Sequence, residues 1–424
     1  MFTEQSTCTV SHASVSLKTE PTTLQELFMS DIKQVIIIGA GASGLMAGIM
    51  AARGGAAVTI LEKEKKPGRK LLRTGNGKCN LTNTGDPRHA YHGTDPGFAA
   101  RALDAFSVQD TIRFFTEIGL YTTSRDGWIY PYAGQAESVL ACLLREAAKL
   151  RIKIKNNETV TAVTKKDDHF DVQTSTWTYR ADNVILACGT AASLVKSQLP
   201  CNGLTLAESL GHSTVPQRPS LVPLVCEGAE KKGWAGVRIQ GTCSLWSEGI
   251  MLASETGQLQ LTEQGVSGIP VFNISGRALI LMGGGLPVTL KLDFFPDFDR
   301  EMTQAFLESR RILLGTDDMK SILTGLFPEK LIPALISGAH NIAELTENIK
   351  ACTLFVKGSA GAGSAQVMSG GIRTYEVDAA TSESRICPGL FITGELLDID
   401  GACGGWNLQL AWSTGANAGR HAAD

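Results

Sequence analysis

The stretch VIIIGAGASGLMAGIMAARGGAAVTILE, residues 35–62, decides the fold. Val35 to Ile38 are four consecutive apolar residues that run straight into glycine, which reads as a strand buried on both faces. Gly39, Gly41 and Gly44 then supply the spacing GxGxxG, with Ala42 and Ser43 inside it, and LMAGIMAAR continues as a helix former. A second strand, VTILE, ends on Glu62, 23 residues after Gly39, close to the ~20-residue separation at which an acidic side chain meets a ribose hydroxyl. Each part has a physical task at a dinucleotide. The first glycine permits a tight turn, the second lets the backbone approach a pyrophosphate, and the third lets the helix pack closely on the sheet. The helix N-terminus offers phosphates its free N–H groups and the positive end of its dipole. In a chain with 45 glycines the glycine spacing alone says little. The strand before it, the helix after it and the acid in place make dinucleotide binding the expected role.

At 424 residues, and with about 150 residues per domain as a guide, two or three domains are expected. A hydrophobic content of 43% supports a sizeable core. The net charge of −3 creates no global field that would draw nucleic acid or an anionic membrane. No apolar run approaches the ~20 residues of a membrane span. Residues 1–30 are polar and Ser/Thr-rich, without a basic start or an apolar centre, so they read as a loosely ordered extension rather than a secretory signal, and a cytoplasmic location is expected. The ten cysteines form no CxxC and share no zinc spacing with histidine, so reduced thiols and no metal site are expected. The missing CxxC also argues against a disulfide-reductase type of flavoenzyme.

The texture along the chain divides it. Residues 31–199 begin the dinucleotide domain: a glycine- and lysine-rich stretch at 63–83, helical periodicity over 97–119 and 136–150, then an antiparallel meander and the buried strand VILACG within 153–189. Residues 200–299 hold short, turn-punctuated β runs that suggest a small barrel or sandwich, and 300–350 are mostly helical. From 351 to 424 the strand and glycine texture resumes and ends in a helix. The economical topology is a nucleotide domain interrupted by an insertion and completed by the C-terminal segment.

NAD and FAD share the opening motif, so the choice rests elsewhere. Flavin extends well past the phosphates and needs more protein. The segment FITGELLDIDGACGGWNLQLAWSTG, residues 391–415, has a strand, the pair Gly394-Glu395, and a Gly-Gly-Trp-Asn turn opening the last helix. A helix N-terminus beside a flavin stabilises negative charge at its N1–C2=O locus, and Glu395 is placed to accept a hydrogen bond from a ribityl hydroxyl. Other candidates are weaker. The cluster Trp128 to Tyr132 reads equally as a stacking surface for flavin or substrate and as packing against the meander. The glycines from Gly358 to Gly363 have the reversed order GxxGxG without a βαβ unit, and Cys79 and Cys403 read as small packing residues. No histidine is expected to be catalytic, and no side chain stands out as a general acid or base.

RKLLRTGNGKCNLTN (69–83), GWIYPYAGQAESVL (127–140), LAESLGHSTVPQRPSLVPL (206–224), GVSGIPVFNIS (265–275) and GELLDIDGACGGWNLQLAWSTG (394–415) resemble the bacterial HI0933/YhiN-like FAD-dependent oxidoreductases, also called BaiN-like or aminoacetone-oxidase-like. The resemblance extends over nearly everything from residue 33 onward, with TGNGKCNLTN and DGACGGWNLQ as its most specific blocks. It implies an α/β fold: a glutathione-reductase-type FAD-binding Rossmann domain interrupted by an inserted β-barrel and a small helical subdomain. It also implies site residues. Gly39, Gly41, Ser43 and Gly44 would hold the pyrophosphate, and Glu62 the adenosine ribose, with Lys63 beside it. Arg69 and Lys70 would lie over the same end. Thr74, Gly75, Asn76 and Asn80 would line the flavin, and Val160 would pair with adenine through its backbone. Glu395, Gly405, Trp406, Asn407 and Leu408 would meet the ribityl chain and pyrimidine ring. The chain departs from the family pattern at Ala187-Cys188-Gly189-Thr190, where a Thr-Gly-Gly turn is usual, and at Ser369, where threonine is usual. Neither removes a nameable cofactor contact.

The implied activity is hydride passage through flavin N5, from NAD(P)H or a substrate to a small organic acceptor or O2. The implied substrates are a conjugated ketone, as in steroid-like bile acid intermediates, or a small amino ketone. The rivals are a plain NAD(P)-dependent dehydrogenase and a non-catalytic FAD-bound redox sensor or structural flavoprotein. Flavin-dependent RNA modification is disfavoured by the lack of a basic patch in the linear sequence. Small-molecule partners alone are expected, with neither nucleic acid nor membrane.

Overall fold

A strand at Gln34–Ile38 (β1), a helix at Ala42–Arg53 (α1) and a strand at Ala57–Glu62 (β2) form the opening βαβ unit in the computed structural model, which describes residues 32–192 and 202–424. The extension expected over 1–30 lies outside the described residues. Strands Lys153–Asn156 (β3), Asn183–Leu186 (β4) and Leu390–Ile392 (β5) complete a parallel sheet in the order β5-β4-β1-β2-β3. Ile38 pairs with Leu61 on one side and Leu186 on the other. The apolar run in β1 now has its reason. Val35 and Ile37 enter one core with Val58 and Ile60, while Ile36 and Ile38 enter another with Leu61 and Leu186. Both faces of the sheet are buried, so no polar alternation survives.

The C-terminal helix Trp406–His421 (α2) lies on α1 at backbone contact distance. A Cβ on Gly415 would stand 2.5 Å from Ser43 O, and one on Gly419 would stand 2.3 Å from Ala47 O. Only glycine permits that approach, and it sets the end of the chain beside the glycine-rich turn at its beginning. Trp412 Nε1 donates to Leu81 O at 2.9 Å and fixes the rotation of α2 against the 69–83 segment.

The helical periodicity over 97–119 resolves into two helices, Gly97–Ala105 and Val108–Glu117. Ser107 breaks it by forming a capping box with Asp110, each side chain accepting from the other's backbone N–H, at 3.1 and 2.9 Å. The meander is antiparallel, built from Val160–Lys165, Phe170–Thr174 and Thr178–Ala181.

Two antiparallel strands, Thr214–Ser220 and Val367–Ile372, lead to and from the insertion. Its six strands close into a barrel: Leu224–Cys226, Gly265–Gly268, Ile250–Leu261, Arg238–Ser247, Thr289–Asp293 and Cys352–Ser359, in spatial order. The last of these corrects the boundary expected at residue 350. Cys352–Ser359 belongs to the barrel, because it bonds to both Thr289–Asp293 and Leu224–Cys226 and so removes the two open edges. Four helices between Arg300 and Lys350 cover that end of the barrel, whose core includes Trp234 set edge-on to Phe294 at 6.3 Å. No described helix is long and apolar enough to cross a membrane.

Candidate functional site

The turn after β1 shows three glycines with three different constraints. Gly39 has φ +109° and donates to Leu61 O at 2.8 Å, and a Cβ there would meet Ala187 O at 2.4 Å. A Cβ on Gly44 would stand 2.0 Å from Gly39 O, whereas one on Gly41 would meet nothing within 4 Å. The backbone at Gly41 is therefore approachable, and α1 starts there without a side-chain cap. Ala42 is half-buried and Ser43 buried in the first turn of the helix.

Glu62 is buried at the tip of β2. Its Oε2 accepts from Ala40 N and its Oε1 from Glu64 N, both at 2.8 Å. The expected ribose ligand thus also braces the turn, and each oxygen keeps a lone pair for a further donor. Lys63 is half-buried next to it, and Arg69 is paired with Glu64 at 2.7 Å. Lys70 instead reaches Glu395, 325 residues away, which also accepts from Thr190 Oγ1 at 3.1 Å. Gly394, at φ +63°, sits close enough to Ser43 that a Cβ would stand 3.0 Å from Ser43 Oγ. Gly41, Ser43, Lys70, Gly394 and Glu395 are therefore one neighbourhood. Thr190 joins it unforeseen; its segment showed only as a departure from the family pattern.

The loop from Thr74 to Asn80 is unusual in its backbone. Gly75, Asn76, Gly77 and Cys79 have φ of 55°, 58°, 83° and 56°. Holding non-glycine residues in this region costs about 1–3 kcal/mol each, and here it turns Asn80 inward. Asn80 is only 7% exposed, yet neither Nδ2 nor Oδ1 has a partner among the described residues. Its side-chain amide lies against Gly405, where a Cβ would stand 2.9 Å from Asn80 Oδ1, and its backbone nitrogen against Gly75, where one would stand 2.8 Å away.

A polar network ties this loop to the start of α2. Thr82 Oγ1 donates to Gln409 Oε1 at 2.5 Å, and Gln409 Nε2 donates to Thr111 Oγ1 at 3.0 Å and Ser413 Oγ at 2.9 Å. Asn83 Nδ2 donates to Gly404 O at 2.8 Å. Gly405 precedes α2 without a side-chain cap. Three residues expected at the cofactor also have partners within the fold. Trp406 is buried edge-on to Tyr91 at 5.9 Å, and the Asn407 amide is spent on Gly401 N and O, at 2.8 and 2.6 Å. Val160 O already accepts from Asn202 Nδ2 at 2.7 Å. Leu408 packs half-buried against the sheet core. Burial pushes the Cys79 and Cys403 thiols up to about 12, so neither supplies a thiolate near neutral pH.

The insertion contributes a wall that sequence reasoning missed. Asn273 Oδ1 accepts from Cys403 N at 3.0 Å, beside Gly404, and Asn273 Nδ2 donates to Glu255 Oε2 at 3.2 Å. Arg277, one turn further along that helix, donates to Leu252 O at 2.6 Å. Burial lowers the pKa of His92, with Glu255 opposing and Arg277 assisting, which keeps its imidazole neutral at neutral pH. Asp400 is raised to about 7 by burial, assisted by the charges of Asp398 and Glu395 and opposed by a 2.8 Å bond from Ser220 Oγ. Their partners lie far away in sequence, so no local spacing announces them. No group of three or more His, Cys, Asp or Glu is arranged to hold a metal among the described residues.

The model of the HI0933-like protein Rossmann domain matches residues 33–421. The chain is 40% identical over 408 residues to the 3-dehydro-bile acid delta(4,6)-reductase of Clostridium scindens, covering 93% of this chain and 100% of that protein. It is 30% identical over 408 residues to the ribosomal RNA dihydrouridine synthase of Haemophilus influenzae, covering 91% and 97%. Among solved structures, the 3-ketosteroid-delta4-(5alpha)-dehydrogenase of Rhodococcus jostii RHA1 aligns with 92% of this chain and 97% of its own at 16% identity and a TM-score of 0.47. The chain belongs to the HI0933-like family of FAD-dependent oxidoreductases.

Proposed function

We propose that this protein is a reductase that uses FAD and NAD(P)H to saturate a carbon–carbon double bond conjugated to a ketone. The observation that carries the reading is 40% identity, across the whole of its length, to a reductase named for that type of bond. The geometry fits the flavin. The open backbone at Gly41 suits a pyrophosphate, Glu62 a ribose, and the Lys70–Glu395–Thr190 cluster a ribityl chain. The orphaned Asn80 amide, with one donor and one acceptor face, suits the alternating donors and acceptors of a pyrimidine edge. The uncapped start of α2 favours negative charge on that ring. When bound, the flavin supplies hydride transfer at N5. The chain's own contribution is orientation and water exclusion, with the wall that Asn273 anchors to the turn at residue 403 on the substrate side.

A second reading, reduction of a uracil in RNA, follows from the 30% identity to a ribosomal RNA dihydrouridine synthase. The two share one chemistry, since the uracil 5,6-bond is also conjugated to a carbonyl. The net charge of −3 favours the small molecule. The test is anaerobic bleaching of the yellow protein by NADH or NADPH, followed by reoxidation with a 3-oxo-4-ene steroid or ribosomal RNA, with aminoacetone tried separately as a reductant of the oxidised flavin. Selective reoxidation by the steroid is expected. A colourless protein that takes up no FAD, or a flavin that neither nucleotide bleaches, would overturn the reading.

A further inference from the structure

Trp128, Tyr130 and Tyr132 have a place in the fold that neither core packing nor the flavin accounts for, whereas Ile129 between them enters the sheet core. Strand Trp128–Pro131 pairs with Thr122–Arg125 and with Thr82–Asn83, and its side chains wall a half-open cavity of about 440 Å3. Trp128 and Tyr130 form the inner wall, Tyr132 the rim, and Lys78, Arg125 and Asp126 complete the lining. The volume falls in the range of about 300–1,000 Å3 typical of small-molecule sites. Tyr132 is 73% exposed and stacks edge-on with Tyr121, itself 77% exposed, at 5.8 Å. Two large aromatic rings held side by side in water are a platform without a cover.

The charge pattern narrows the ligand. Neither Lys78 nor Arg125 has an ion-pair partner among the described residues, although most other arginines of this region do. Aromatic faces flanked by free cations recognise a planar ring that carries an anion. The position narrows it further. Lys78 belongs to the left-handed loop that presents Asn80, and a Cβ on Gly404 would stand 3.0 Å from the Trp128 ring. The Cys403–Gly405 backbone is thus contacted by the insertion through Asn273 and by this hairpin through Trp128.

We propose that this cavity is the binding site of the nicotinamide dinucleotide, with its rings against Trp128, Tyr130 and Tyr132 and its phosphates at Lys78 and Arg125, while the organic acceptor uses the Asn273 wall. This rests on the flavoenzyme reading above. The same chemistry, a flat ring with an anion, is offered by a steroid carboxylate, and the experiment separates the two.

FAD-loaded protein is titrated calorimetrically with NADP+, AMP and a 3-oxo-4-ene steroid carboxylate, for the wild type and for Arg125→Gln and Tyr132→Ala. Both positions are exposed, and flavin absorbance and melting temperature check that the variants fold. Loss of a stacked ring or of one phosphate contact weakens binding by about fivefold to a hundredfold. NADP+ affinity is expected to fall in that range in both variants, and the half-saturating NADPH concentration for flavin bleaching to rise in step. Reoxidation of dithionite-reduced enzyme by acceptor should not change. Unaltered NADP+ affinity in both variants overturns the proposal, as does a loss confined to the steroid carboxylate. A yellow wild type that neither nucleotide reduces would defeat the proposed function, yet calorimetry would still read the cavity.

Discussion

Replacing Asn80 by leucine should move the stability of apoprotein and holoprotein in opposite directions. Asn80 is 7% exposed, and its Nδ2 and Oδ1 are both buried without a partner among the described residues. A buried unsatisfied polar group costs about 1–3 kcal/mol, so removing this amide should stabilise the cofactor-free protein by at least the lower end of that range. If the amide meets the flavin pyrimidine edge through both atoms, its loss removes two hydrogen bonds worth about 0.5–1.5 kcal/mol each, and FAD affinity should fall by about fivefold to a hundredfold. The space is tight, with glycines required at positions 75 and 405, so Asn80→Ala serves as the control that cannot clash. The assay is a thermal melt of cofactor-stripped and FAD-saturated protein, with FAD affinity read from flavin fluorescence quenching. A higher apo melting temperature, a lower holo one and weaker FAD are expected in at least the alanine variant. Unchanged FAD affinity in both variants would refute the assignment of Asn80 to the flavin. A destabilised apoprotein in both would show that the amide has a partner.

Glu395→Ala removes the partner of Lys70 and the acceptor of Thr190, and should weaken FAD retention by about tenfold or more; full yellow stoichiometry after gel filtration would count against its role. Gly419→Ala places a Cβ 2.3 Å from Ala47 O, forces α2 off α1, and should lower stability by about 1–3 kcal/mol; a wild-type melting temperature would contradict the close approach. The folded pKa of Asp400, about 7, lies above its ordinary value of 3.8, so the folded state holds a proton that the unfolded chain releases. Its contribution is fully present below pH ~4 and is lost as pH rises toward 7. Asp400→Asn stays neutral and still accepts from Ser220, so it should gain stability relative to the wild type as pH rises from 5 to 8. Parallel melting curves across that range would disprove the burial of a titrating acid.

The nucleotide-binding unit was legible because its parts are local. Strand, turn, helix, strand and acid follow one another within residues 34–62, and each has a backbone or periodicity requirement that the residue types meet directly. The resemblance added the loop from Thr74 to Asn80 and the Gly404-Gly405 turn, whose glycines the structure shows at φ 55°, 83°, 114° and 96°. Where sequence fell short, the reason was distance along the chain. The barrel boundary failed because the strand that closes it, Cys352–Ser359, follows the helical segment, and closure is a property of the ladder rather than of local texture. Asn407 and Val160, expected at the cofactor from motif position, also bond to Gly401 and Asn202, which motif position did not announce.

By itself, then, the sequence determined a parallel βαβ unit with a glycine-rich turn shaped for a dinucleotide, since short-range sterics at Gly39, Gly41 and Gly44 leave little else. Tertiary structure alone decided which distant groups share the site. Lys70 with Glu395, Asn273 with Cys403, Gln409 with Thr82, and Trp128 with Gly404 are pairs 130 to 327 residues apart. No periodicity encodes such meetings. They arise because two glycines on α2 let its backbone settle against α1, and because a closed barrel returns the insertion to the turn at residue 403.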